Sequence, residues 1–472
     1  MPLDRTQAVR GVVAVSLALG VALHAAWWLP YLCDDSLISL RYADRLLSGA
    51  GLTWSDAAPP TEGYSNLLWV LGEAAIGLSG VDLILGMRIL GFGSAMALAV
   101  VMAQAGRGLL AQLTAGMVVV TAVPVALWAA GGLEAPALAL AIGVAVLALD
   151  RDRLVPASIA LSAACLLRPD APLLAALLGV GLWLAQGQDR RALWRVLQLG
   201  LGPVVAVAGQ LAFRLWAYAD WVPNTAHVKG PSDHLLDGGL LYVAQGLWTL
   251  APVLGLALAG LWLEGKRGRL VLPAILGWTA WVASIGGDLF PGFRHLAPLI
   301  PLLALPVAGA VDALPRWAAA LSLPLVLWSG QLQLSHPRST RAHTEHWQRD
   351  CLVLGAALVQ LYGEEQPTIA VPFAGCLPYS TRFPAIDTLG LNDAELVQGG
   401  TQTAGPLGHG RGDARLTLDR EPDLIFLCGP FSGAPCFPVE VALVADPRFE
   451  QDYELRTLET SVGQARYFAR RR

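Results

Sequence analysis

Long apolar runs recur from the amino terminus to about residue 334, separated by short stretches rich in Arg, Gly and Pro. Each run approaches the roughly 20 residues that a helix needs to cross the hydrocarbon of a bilayer. The pattern predicts spans at 11–30, 83–105, 109–128, 135–149, 155–167, 171–186, 197–218, 240–261, 270–286, 295–312 and 317–334, about eleven in all. The first run follows Asp4, Arg5 and Arg10 and lacks an A-x-A-like cleavage site, so it reads as a retained span and not a signal peptide. The stretch Leu67 to Gly80 does not fit as a crossing and reads as an interfacial or re-entrant helix closing the first loop. After residue 334 the character changes. A helical stretch from His343 to Tyr362, strand-like runs at Thr368 to Pro372 and Asp423 to Cys428, and a Gly-rich loop from Gly399 to Asp413 predict a small α/β domain. The expected fold is therefore an α-helical polytopic membrane protein over 1–334 with a soluble C-terminal domain over 335–472.

Basic residues fix the orientation. Arg107, Arg151 to Arg153, Arg190 to Arg195 and Lys266 to Arg269 carry most of the membrane half's positive charge, which puts those connections in the cytoplasm. With an odd span count the N-terminus lies inside and everything after residue 334 outside. The remaining polar residues then gather on the outer side: Asp34 and Asp35, Glu62, Glu134, Arg168 and Asp170, Asn224 and Lys229, and Asp288 with Arg294 and His295. Charged groups at membrane depth are costly and line cavities, so this convergence predicts one site at the outer interface. Arg88 falls inside the second span and is expected to face the bundle interior with a structural partner.

Composition sharpens the class. The chain is 55% hydrophobic and 14% charged over 472 residues, and its net charge of -4 with scattered Arg clusters excludes a nucleic-acid surface. Sixteen Trp and 50 Gly together fit interfacial aromatic belts and close helix packing. No P-loop or dinucleotide fingerprint occurs, which argues against a nucleotide-sugar donor on the cytoplasmic face. Six Cys show no metal-ligand spacing, so no metal site is assigned. Acidic side chains on the outer face have the chemistry to hold a divalent cation, although no spacing demands one. Cys376, Cys428 and Cys436 fall in the tail, where one disulfide is expected if that tail faces an oxidising compartment.

The first loop reads Asp34-Asp35-Ser36-Leu37-Ile38-Ser39-Leu40-Arg41-Tyr42-Ala43, then Gly49-Ala50-Gly51-Leu52-Thr53-Trp54, then Glu62-Gly63-Tyr64-Ser65-Asn66-Leu67-Leu68-Trp69. Arg168-Pro169-Asp170, Val222-Pro223-Asn224-Thr225 with Lys229, Gly286-Gly287-Asp288 with Phe293-Arg294 and Pro298, Asp387-Thr388-Leu389-Gly390-Leu391-Asn392-Asp393, and Gly408-His409 follow in order. In these elements the chain resembles the mycobacterial terminal β-(1→2)-arabinofuranosyltransferase family, polytopic enzymes of the GT-C class. The resemblance departs at Gly410-Arg411. It implies a GT-C-like membrane domain, a polyprenyl-phosphate-linked sugar as donor, a cell-envelope glycan or lipid as acceptor, and residence in a bacterial inner membrane.

Transfer from a lipid-linked sugar phosphate needs a carboxylate that deprotonates an acceptor hydroxyl or stabilises an oxocarbenium-like centre. Asp34 or Asp35 supplies it, with Asp34 favoured because Asp35 is better placed to cap the helix that follows. The leaving phosphate needs cationic donors, for which Lys229 and Arg294 rank first, ahead of Arg168, Arg41 and His295. Arg168 has a competing role as the partner of Asp170. Glu62 and Asp288 are candidates for binding sugar hydroxyls, Asn224 for phosphate or sugar, and His409 for the acceptor glycan, while Asp387 and Asn392 are expected to fix a loop. The competing function is a lipid-linked glycan transporter or flippase, which would place polar groups nearer the midplane and repeat its halves.

Overall fold

A computed structural model of the chain describes residues 5–228, 235–399 and 411–471. Lys229, His409 and most of the Gly-rich loop lie outside the described residues. Helices dominate up to residue 335, and each predicted apolar run contains one. Among the described residues three are long and apolar enough to cross a membrane, Gln7–Ala26, Leu83–Ala103 and Arg190–Tyr218. Two runs predicted as single spans are broken: Leu109–Val120 meets Val123–Gly131 at 49°, and Leu235–Thr249 meets Ala251–Leu263 at 80°. Counting each bent pair as one span raises the number to five. The second break falls where Pro252 enters, because proline cannot donate to the preceding turn. Ala135–Asp150, Leu154–Leu167, Ala171–Ala185 and Leu299–Ala313 are shorter apolar helices, as is Leu67–Gly77 in the first loop.

The helix Arg190–Tyr218 is mostly exposed, and its large exposed side chains include Leu193, Trp194, Leu197, Leu201, Val204 and Trp216. Apolar exposure on this scale, with tryptophan near both ends, is a surface made for hydrocarbon between two polar interfaces. Arg88, expected to find a structural partner, donates to the carbonyls of Ala130, Leu29 and Tyr31. A guanidinium among apolar helices is thereby satisfied by backbone oxygens that a helix end leaves unused.

Two compact units are interleaved along the chain. One comprises Met1–Tyr31, Met87–Gln210 and Asp233–Thr344, the other Leu32–Gly86, Leu211–Ser232 and Glu345–Arg472. The second unit contains the sheet: β1 (Ile369–Val371), β2 (Ala385–Asp387), β3 (Leu424–Ile425), β4 (Tyr453–Thr460) and β5 (Gly463–Arg470), in the order β2-β1-β3-β5-β4. β1 pairs parallel with β2 and β3, whereas β5 is antiparallel to both β3 and β4. β1 and β3 are buried and their apolar runs were legible, while the short buried β2 and the hairpin β4–β5 were not anticipated. Ala370, Ile386, Ile425, Leu396 and Leu443 form the core beneath.

Two disulfides form, Cys428–Cys436 and Cys351–Cys376. The expectation of one bond in the tail is corrected by Cys351, which lies on the helix Trp347–Tyr362 and reaches Cys376 across 25 residues.

Candidate functional site

The helix Asp34–Leu47 begins at the first of the paired acids. Its N-cap is Cys33, with no side-chain cap, and both acids lie in the first turn. The capping role expected of Asp35 is therefore corrected: Asp35 is already helical, its own N–H inside the turn. The two acids differ in surroundings. Asp34 is 8% exposed, its Oδ2 accepting from the backbone N–H of Gly375 at 3.0 Å and its Oδ1 from that of Cys376 at 2.8 Å. Asp35 is half-buried.

Gly375 is glycine for a steric reason. A Cβ there would sit 2.1 Å from the carbonyl oxygen of Asp34 and 2.7 Å from its Oδ1. Only a residue without a side chain lets the two backbones approach closely enough for the amide pair to reach the carboxylate. The Cys376 half of that pair is pinned by its disulfide to Cys351.

The other motif residues of the second unit tie the first loop to the loop after β2. Arg41, a candidate for the donor phosphate, is 1% exposed; its Nε donates to Trp54 O at 3.0 Å and its Nη2 to Phe383 O at 3.0 Å. The Tyr42 hydroxyl donates to Thr61 O at 2.7 Å and accepts from Gly63 N at 3.0 Å. A Cβ at Gly63 would lie 2.0 Å from Asn392 Oδ1, so any larger residue there would push that side chain aside. Glu62, 3% exposed, holds the Arg214 guanidinium through both oxygens, and its backbone carbonyl accepts from Asn224 N at 3.0 Å. Asn224 Nδ2 in turn donates to Gly390 O at 2.7 Å and Leu391 O at 2.8 Å. Asp387 closes its own loop, accepting from Leu389 N, Asn392 N and Asn392 Nδ2 at 3.1, 2.8 and 2.9 Å. The predicted elements thus come together, and these side chains spend their hydrogen bonds on one another.

Burial acts on the acids of this cluster. Desolvation pushes the Asp34 carboxyl up to about 7 against the pull of the Cys376 and Gly375 N–H donors, and the neighbouring charge of Asp35 adds to the rise. Asp387 is pushed up to about 6, again chiefly by burial. Both folded carboxyls hold a proton to higher pH than a free side chain, whose value is near 3.8, so their stabilising contribution is complete below that value and is lost as pH climbs through about 7 and 6. We expect the thermal midpoint to fall from roughly pH 4 to pH 7, and Asp34→Asn to flatten that slope. An unchanged slope in the variant would contradict the assignment.

In the first unit, a second polar cluster joins three helix ends and the loop Ile285–Leu296. Arg168 meets Asp170 through two hydrogen bonds of 2.8 Å, Glu134 Oε1 at 3.0 Å, and His295 Nδ1 at 3.4 Å. Arg294 donates to Asp288 Oδ2 at 2.9 Å and stacks over Trp128 and Phe290 at 4.9 and 5.0 Å. His295 Nε2 lies 3.7 Å from the same Asp288 oxygen. The loop needs Gly286, Gly287 and Gly292 at positive φ and forces Phe293 to φ 55°, a strained value for a side chain of that size. Two arginines face three carboxylates here, so Arg168 and Arg294 are already neutralised. Among the described residues no group of three or more His, Cys, Asp or Glu could hold a metal ion.

Sequence reasoning missed Arg214. It sits in the last turns of an apolar run, where a charge is expensive and therefore informative, and that position was the available signal. It also missed Arg338 and Gln245, which bracket Asp288: Arg338 Nη1 donates to Asp288 O at 3.0 Å and its Nε to Gln245 Oε1 at 3.1 Å.

Residues 340–470 match a family described as a domain of unknown function, DUF8728, a stretch shorter than a third of the chain. No curated protein matches the sequence. Over almost its entire length the chain is similar in structure to ArnT from Cupriavidus metallidurans. The crystal structure of that protein in the apo state superposes with a TM-score of 0.63 at 15% identity, covering 97% of both chains. Its crystal structure bound to undecaprenyl phosphate gives a TM-score of 0.64 at 14% identity, covering 98% of both. The chain therefore shares the fold of that protein.

Proposed function

We propose that this chain is a membrane glycosyltransferase that moves a sugar from a polyprenyl-phosphate donor to a cell-envelope glycan or lipid on the extracytoplasmic face. The carrying observation is the half-buried Asp35, held in the first helical turn beside an Asp34 whose both oxygens are anchored by backbone amides. Its setting supports the reading: the fold is that of ArnT, whose crystal structures include one bound to undecaprenyl phosphate. In this mechanism Asp35 takes the proton of an acceptor hydroxyl. The hydroxyl oxygen bonds to the anomeric carbon, and the bond from that carbon to the phosphate oxygen breaks with its electron pair leaving on the lipid phosphate. Asp34 is the positioning residue. The preference between the two acids thus moves to Asp35, because Asp34 offers both its oxygens to the amides of Gly375 and Cys376.

The topology belongs to the same proposal: a multi-pass protein of the bacterial inner membrane with about eleven crossings, a cytoplasmic N-terminus, a membrane catalytic part over 1–334 and an outer domain over 335–472. It is supported by the second unit, which collects 32–86, 211–232 and 345–472; charge placement assigns 32–82, 219–232 and 345–472 of these to the outer side, and the rest are ends of two predicted spans. Lys229 as a phosphate ligand, His409 as an acceptor contact and an arabinofuranosyl donor rest on the sequence resemblance alone.

The test is to supply the purified full chain with polyprenyl-phospho-pentoses and polyprenyl-phospho-hexoses in turn and follow release of polyprenyl phosphate in the presence of envelope glycan acceptors. Turnover of one donor is expected. Neither turnover nor thermal stabilisation with any donor would sink the reading.

A further inference from the structure

Several arginines within the fold meet carboxylates, whereas the buried Arg41 is held by the backbone carbonyls of Trp54 and Phe383. Arg168, Arg214, Arg267 and Arg294 each hold at least one acid. Arg338, half-buried on the short helical turn Pro337–Thr340 of the first unit, does not. Its Nε and Nη1 go to two neutral oxygens, those of the Gln245 side chain and the Asp288 backbone. Its guanidinium carbon lies 5.1 Å from the centre of the Tyr242 ring and 5.9 Å from that of Phe293. Among the described residues no carboxylate oxygen lies within 4.0 Å of it, and its second terminal nitrogen, Nη2, has no acceptor.

Two neutral acceptors and two aromatic faces fix the plane of this guanidinium without cancelling its charge. Arg341 donates to the carbonyl of Leu289, one residue along the same loop. An anion approaching Arg168 or Arg294 would have to displace a buried carboxylate first. At Arg338 it meets a preorganised donor with an unused N–H pair.

We infer that Arg338 is an anion-binding residue whose Nη2 takes an oxygen of a phosphate group. The inference depends on the proposed function only for the ligand's lipid tail, since the charge and fork geometry stand by themselves. The source of the phosphate is a polyprenyl headgroup or the free ion.

The test is binding, measured on the full chain in a phosphate-free maltoside detergent with three probes: undecaprenyl phosphate, undecaprenol and inorganic phosphate. Arg338→Gln is expected to weaken undecaprenyl phosphate roughly tenfold to a hundredfold, the range for a hydrogen bond to a charged partner, and to leave undecaprenol unchanged. Arg338→Lys should fall between, keeping charge but losing the fork. A parallel loss of inorganic phosphate identifies a general phosphate site; loss confined to the lipid identifies a headgroup site. Equal affinity of Arg338→Gln and the parent, or a parent that binds neither phosphate, overturns the inference. If Arg338→Gln does not fold, Gln245→Leu removes only the support of the guanidinium. A severalfold weaker lipid phosphate then upholds the inference, and unchanged affinity overturns it. Arg338-dependent binding without any sugar transfer would sink the glycosyltransferase reading alone, whereas transfer with Arg338-independent binding would sink this one alone.

Discussion

Replacing Asp35 by Asn is expected to lower sugar transfer by roughly a hundredfold to ten-thousandfold, the usual reach of a positioned general base, with the thermal midpoint little changed. The side chain is half-buried and an amide keeps its size, so the substitution should take away the base and keep the volume. Asp34→Asn behaves differently. An amide can turn only one oxygen to the two N–H groups of Gly375 and Cys376, and its NH2 then faces the other donor. The orphaned donor costs about 1–3 kcal/mol, so this variant loses stability and activity together. The pair is diagnostic in steady-state kinetics with a matched donor. Full activity in Asp35→Asn would remove that residue from the mechanism, and an Asp34→Asn protein as stable as the parent would remove the anchor.

The second large effect lies at Glu62 and Arg214. The pair is buried and bidentate, 152 residues apart in sequence, and Arg214 also donates to Trp221 O at 3.2 Å. Glu62→Ala leaves a guanidinium buried without its acid, a change that typically costs about 3–5 kcal/mol. The double variant Glu62→Leu with Arg214→Met removes both charges and should recover most of that loss, because the attraction of a buried pair is largely offset by the water both ions give up. Thermal unfolding of the full chain reads both. A cost below about 1 kcal/mol for Glu62→Ala would mean that Arg214 finds solvent or another acid.

These two sites also show what the sequence made legible. Apolar runs announced the helices, and the buried strands β1 and β3 were found within a residue or three of their ends, because burial writes itself as composition. The motif elements were visible as residue types in order, and the unit that joins 32–86, 211–232 and 345–472 does bring most of them together. Their roles were harder. Arg41, Glu62 and Asn224 were expected at the substrate, and the structure has them holding Phe383, Arg214 and Gly390. A residue type states what it can bind, never which partner 150 or 340 residues away has reached it first. The 80° break at Thr249 to Ala251 escaped for a related reason: a window of hydropathy averages across a proline that redirects the chain.

The anchor of Asp34 carries a consequence for how the protein is made. The amides that hold it belong to residues 375 and 376, and they arrive 341 and 342 positions later in synthesis. At translation rates of roughly 5–20 residues per second, the first loop waits on the order of half a minute for them. Until then its acid turn has no receptor, and the second half of that receptor belongs to a cysteine that must also be oxidised to Cys351. The acid pair is therefore among the first elements translated and among the last assembled. A nascent chain stopped short of residue 375 would carry every predicted crossing and no finished carboxylate site, which delays the chemistry until the chain is nearly whole.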